Sequence, residues 1–101
     1  MPASERVFWR NATCTVWVGY NDAGALQFYG DESAYMGDAG HNYEYWITVS
    51  SDQFDKLRAA LDADPSAEVV DLVCIHVDEI MKLGERSWLD HHGIERGFRS
   101  Y

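Results

Sequence analysis

Four histidines and a dense set of carboxylates are the residues of this chain with metal-binding or proton-transfer chemistry, and their spacing limits what each can do. His91 and His92 are adjacent, so on a helix they point about 100° apart and do not converge on one ion. Near a helix C-terminus an imidazolium simply complements the dipole. His76 stands in an apolar stripe with Glu79 three residues on, a His-x-x-Glu spacing that serves a metal or an acid–base pair. Glu79 lies about 60° around the helix from it, and a core histidine bonded to a backbone carbonyl is the expectation there. His41 sits among Asp31, Asp38 and Glu44, without the ligand spacing of an EF-hand loop. The nucleophile motifs G-x-S-x-G, the P-loop and G-x-G-x-x-G do not occur, and nothing near Cys14 would activate a thiolate. Paired carboxylates of the glycosidase kind need a cleft, and a chain of this size leaves little wall for one. The expectation is a non-enzymatic protein with no metal and no cofactor.

What the carboxylates do supply is a field. The chain carries 17 Asp and Glu against 8 Lys and Arg, a net charge of −9 on 101 residues. Between Asp22 and Asp55 there is no Lys or Arg, yet Phe28, Tyr29, Tyr35, Tyr43, Tyr45, Trp46 and Phe54 fall there. Such a field repels nucleic acid and anionic lipid and speeds encounter with a basic partner. The candidate partner-binding residues are therefore acids in aromatic company. Asp31, Glu32, Tyr35 and Asp38, with the adaptable Met36, lie in a Gly-rich segment, and Glu44 and Trp46 lie on the strand after it. Asp71, Ile75 and Asp78 lie on a helix, where Ile75 falls in the polar sector between carboxylates. A branched apolar group ringed by acids either anchors an interface or lies under another layer of the protein.

The elements that must position these residues are legible from periodicity. Residues 13–20 alternate as a strand, with Cys14, Val16, Val18 and Tyr20 on one face. Asn21-Asp-Ala-Gly24 is a turn, and residues 25–30 return as the second strand of a hairpin. Residues 30–42 read as a loop, longer than most in a compact domain. Tyr43 to Val49 is a strand apolar on both faces, hence internal to a sheet. Ser50 and Gln53 fit a capping box before a helix carrying Phe54, Leu57 and Leu61, which Asp62-Ala-Asp-Pro65 stops. A second helix runs from about Ser66 to Leu83 with Val69, Leu72, Val73, His76 and Ile80 on one stripe, and a third spans 85–92 with Gly93 as its C′ residue. Residues 94–101 form the last strand. Val7, Phe8 and Trp9 are too apolar for a free tail and must pack. The order β-β-β-α-α-α-β gives one α+β domain over residues 1–101: a mainly antiparallel sheet of about four strands, with helices packed on one face.

Composition agrees with that. A 47% hydrophobic fraction with 14% aromatics belongs to a folded chain rather than a disordered one. No apolar run reaches the roughly 20 residues of a membrane helix, and the N-terminus lacks the apolar region of a signal peptide, so a cytoplasmic protein is expected. Cys14 and Cys74, on a strand and a helix, are expected as free thiols.

Asp22-Ala-Gly-Ala-Leu26, Gly30-Asp31, Tyr43-Glu-Tyr-Trp-Ile-Thr-Val49 and Gly93-Ile94 before an aromatic strand together resemble a group of small actinobacterial α+β proteins of unassigned activity. The resemblance covers about residues 13–101 and implies a fold but no catalytic residue. In size, acidity and lack of catalytic motifs the chain also looks like the immunity proteins of bacterial toxin systems. The expected function is an acidic binding module for a basic protein, in the concrete case an immunity protein occluding the cleft of a nuclease toxin. It would be a monomer by itself, with neither nucleic acid nor membrane as a partner. The alternatives are a small metal- or ligand-dependent enzyme with its site at His41 and the 30–42 loop, and a domain that self-associates through a sheet edge.

Overall fold

The computed structural model describes residues 5–33 and 42–100. Five strands form one antiparallel sheet in chain order: β1 (Arg6–Arg10), β2 (Cys14–Tyr20), β3 (Leu26–Ser33), β4 (Asn42–Val49) and β5 (Gly97–Ser100). A 3-10 turn at Ser51–Gln53 and the helices α1 (Phe54–Ala60), α2 (Val69–Ile75), α3 (Val77–Leu83) and α4 (Glu85–His91) occupy the connection from β4 to β5. The α+β class with a mainly antiparallel sheet is as the sequence implies. The sheet has five strands instead of about four, because the Val7-Phe8-Trp9 segment pairs with β2. A register shift between Val7 and Trp9 lets Phe8 enter the core while Val7 stays on the open side.

Period-two alternation divides the sheet. Val16, Val18, Leu26, Phe28, Ile47 and Val49 face one way and form a single buried cluster with Leu57, Val69, Val73, Ile80, Trp88, Leu89 and Ile94 of the helical layer. The Asn21–Gly24 turn closes the β2–β3 hairpin: Asn21 accepts from the Gly24 N–H and donates its own N–H to Ala25, while its side-chain oxygen accepts from Ala23 and Ala25.

Three helical expectations change. The long second helix is two, α2 and α3, divided at His76, whose backbone leaves the helical region at φ −103°, ψ 25°. The Ile80 N–H still bonds the His76 carbonyl, so the 3.6-residue stripe runs through the break without a change of phase. The imidazole stays half-exposed and faces Glu79, with Nδ1 to Oε1 at 3.5 Å, rather than entering the core. The Ser50–Gln53 capping box does not form. The Ser50 hydroxyl bonds Asp52, and the buried Gln53 side chain accepts from the Glu95 N–H, holding the chain on its way to β5. The cap of α2 is Glu68, which accepts from the N–H groups of Val70 (2.8 Å) and Asp71 (3.0 Å) and from the Tyr20 hydroxyl. Burial acts to raise the Glu68 pKa, but these donors outweigh it and hold the carboxyl below its usual range.

The end of α4 is as expected. Gly93 takes φ 67° and donates to Asp90, while Ile94 donates to Leu89, a Schellman closure that buries Ile94 against Leu89. Gly30 is required for a different reason. It lies opposite Tyr45, whose ring covers it, and a Cβ at position 30 would fall inside that ring. Gly30→Ala is expected to lower stability by about 2 kcal/mol in chemical denaturation, the cost of overpacking a filled site. Glu68→Ala should cost about 1 kcal/mol through loss of the cap.

Candidate functional site

The strand face turned away from the helices carries Trp17, Tyr29 and Trp46, three aromatic residues that the core does not use. Register places Val7, Trp17, Tyr29, Trp46 and Arg99 side by side, one from each strand. The three rings form a stacked ladder, with centroids 5.4 Å apart from Trp17 to Tyr29 and 5.0 Å apart from Tyr29 to Trp46. The Arg99 guanidinium lies 5.0 Å from the Trp46 ring. All three aromatics are half-buried by one another, and no described helix covers them. A groove of about 310 Å³ runs beside the ladder, between Trp46, Arg99 and Gln27.

The next rung on the same face is Arg10, Thr15, Asp31 and Glu44. Asp31 and Glu44 are directly opposed, an arrangement that costs stability in a sheet because like charges face each other across the pair. Tyr29 donates its hydroxyl to Glu44, but Asp31 Oδ1 is buried without a hydrogen-bond partner among the described residues. Burial, then the bond to Glu44 and its charge, then Asp31 and Glu5, push the Tyr29 hydroxyl well above the usual phenol range. The open face is thus an aromatic strip beside a pair of carboxylates that repel each other.

Comparison with protein-family models, with curated proteins and with solved structures finds no match.

Of the residues expected to bind a partner, the structure brings together Asp31, Glu44 and Trp46 on the open face. Glu32 is on β3 but points to the other face, in register with Cys14 and Tyr43. Asp71, Ile75 and Asp78 belong to the helical layer. There Asp71 is engaged by Arg6 of β1, Asp78 is exposed, and Ile75 is 76% exposed, so no other described layer covers it. Tyr35 and Asp38 lie outside the described residues, as do Met36 and His41 of the alternative site. The candidates therefore occupy two surfaces, one on each side of the sheet. Trp17 and Tyr29 join the first surface; the signal for them was their position on the strand faces opposite the core, which becomes a ladder only once register is known.

A second set of residues, not foreseen, lies on the helix side near β5. The Tyr45 hydroxyl donates to Glu85 Oε2 at 2.6 Å, and Glu85, the first residue of α4, is only 6% exposed. Among the described residues no group of three or more His, Cys, Asp or Glu is arranged to hold a metal ion. His92 instead packs on Trp88 with ring centroids 4.5 Å apart. Cys14 and Cys74 are free thiols, and burial, chiefly, raises both above the usual thiol range.

Burial, then the charge of Glu85 and the bond to it, raises the Tyr45 pKa far above that of an ordinary phenol. The folded chain holds this proton more tightly than the unfolded one, so the stabilisation is complete below about pH 10 and is lost as the pH rises beyond it. Urea denaturation should show stability falling from about pH 10 upward, by at most about 1.4 kcal/mol per pH unit from this group. Tyr45→Phe should shallow that fall and lower stability at neutral pH by about 1–3 kcal/mol, since Glu85 stays buried without its donor.

Proposed function

We propose that this protein is a non-catalytic binding module for a basic polypeptide, and that its open sheet face is the contact surface. The observation that carries the reading is the Trp17–Tyr29–Trp46 ladder beside the opposed Asp31–Glu44 pair. Flat half-exposed aromatics supply contact area with little side-chain entropy to lose, and they are enriched where interfaces concentrate their energy. The carboxylates of Asp31 and Glu44 stand opposite each other beside the ladder. Their mutual repulsion is relieved by any cation placed between the two groups, so the face is better matched to a Lys- or Arg-bearing partner than to bulk water. The excess of nine negative charges extends the same preference over the whole molecule.

The concrete form of this reading is an immunity protein that masks the nucleic-acid-binding cleft of a nuclease toxin. Carboxylates would take the places of phosphates against the toxin's basic residues, while Trp46 and its ladder neighbours seal the contact. Ile75, exposed between Asp71 and Asp78, is a separate anchor on the helical layer and would serve a partner large enough to reach around the β1 edge.

Capture from a native lysate at about 20 mM salt, where the field reaches well beyond its range of roughly 8 Å at 0.15 M, should retain one basic polypeptide at unit stoichiometry. Association with that polypeptide should slow steeply with salt, and Asp31→Lys with Glu44→Lys should slow it further. Trp46→Ala should cost about 2 kcal/mol of affinity, mainly by faster dissociation. Normal binding by the double lysine variant would count decisively against this face.

A further inference from the structure

The cleft on the helix side of β4 and β5 is built differently from the open face. It has a volume of about 230 Å³, smaller than a site for a drug-sized ligand and suited to one long side chain. Tyr43, Tyr45 and Phe98 form its aromatic wall, with Tyr43 and Tyr45 centroids 5.9 Å apart and Tyr45 and Phe98 6.3 Å apart. Leu83, 53% exposed, forms the opposite lip, and Glu85 is the carboxylate within it.

Glu85 is the group that needs explanation. It is more than nine-tenths buried, and its described partner is a phenol, which donates a hydrogen bond but brings no charge. Among the described residues no Lys, Arg or His forms an ion pair with it. A carboxylate withdrawn from water without a cation is costly, and its position in the first turn of α4 offsets only part of that. The ring faces around it are themselves attractive to cations. The mouth of the cleft demonstrates this, because the Arg86 guanidinium lies 4.0 Å above the Phe98 ring.

We infer that this cleft is an anchoring pocket for a single arginine or lysine side chain of the basic partner, with the aliphatic stem along Leu83 and Ile47, the cationic head on Glu85, and the rings of Tyr45 and Phe98 beside it. The inference rests on the reading that the partner is basic, but it concerns a different side of the sheet from the open face. Arg86 holds part of the same aromatic wall and is the group an incoming side chain displaces. Glu85 and Tyr45 then have complementary roles: the carboxylate carries the charge, and the phenol fixes which oxygen remains available for the incoming cation.

The test is a titration of the full chain with the capped tripeptide acetyl-Gly-Arg-Gly-amide, followed by NMR. Its counterpart in which citrulline replaces arginine has the same shape and no charge. The arginine peptide should give saturable shifts at Tyr45, Ile47, Ser87 and Phe98, and the citrulline peptide should bind at least about tenfold more weakly. Glu85→Gln keeps an acceptor for Tyr45 and should weaken the arginine peptide by a similar factor, whereas Asp22→Asn, which removes one exposed charge from the β2–β3 turn, should leave it unchanged. Equal binding of the two peptides would overturn the proposal, as would undiminished binding to Glu85→Gln or no saturable shift in the cleft up to the solubility of the peptide. Should Glu85→Gln fail to fold, the citrulline comparison decides by itself. Because the probe is a single side chain, its failure leaves the open-face reading to be judged by the captured polypeptide and the Asp31, Glu44 and Trp46 variants.

Discussion

The pairing of Gly30 with Tyr45 is the constraint on which the arrangement of this molecule depends. Gly30 leaves room on the helix side of β3, the Tyr45 ring fills it, and the Tyr45 hydroxyl reaches Glu85 at the start of α4. One contact therefore sets the register of β3 against β4 and ties the sheet to the last helix. A slip of one residue would turn every side chain of one strand to the other face. It would bring Phe28 out of the core and push Tyr29 and Asp31 into it. The stacked ladder and the opposed carboxylates exist only in the observed register.

The two faces of the sheet divide the labour of the chain. On one, aliphatic side chains from β2, β3 and β4 meet those of four short helices in a single cluster. None of these helices exceeds seven residues, so they are held by that packing and by their termini rather than by their own propensity. Glu68 and the Gly93 closure are local examples of what holds them. On the other face, aromatics stack on one another instead of on helices, and acids stand beside them. A sheet optimised for stability would not oppose Asp31 to Glu44, nor leave a large aromatic strip half in water. That mixture is the physical ground on which the open face is proposed as a contact surface.

Strong local signals survived into the tertiary structure, and weak ones were redirected by it. The strand alternation in 14–20 and 43–49, the turn at Asn21–Gly24 and the stop at Gly93 all rest on backbone chemistry that neighbours do not alter. Ser50 and Gln53 had the right types for a capping box, but Gln53 found a stronger use on the Glu95 N–H, a bond between residues far apart in the chain. The bend at His76 left no trace in the hydrophobic periodicity because the helical phase continues across it. His76 itself was expected inside and stands at the surface of the stripe with Glu79, since an imidazole gains more from a carboxylate and water than from an apolar layer.

From the sequence alone came the α+β class, the alternation that makes one face of the sheet apolar, the excess of nine negative charges, and the lack of motifs for nucleophilic chemistry. These are properties of residue type and short-range spacing, which neighbours in space do not change. The tertiary structure alone decided that Trp17, Tyr29 and Trp46 form one ladder, that Glu32 parts company with Asp31, and that Asp71 and Ile75 lie on a separate surface. It alone brought Glu85 under Tyr45, forty residues away along the chain. Those outcomes depend on strand register and on the packing of the helical layer, and both are set by contacts between residues that no local pattern pairs.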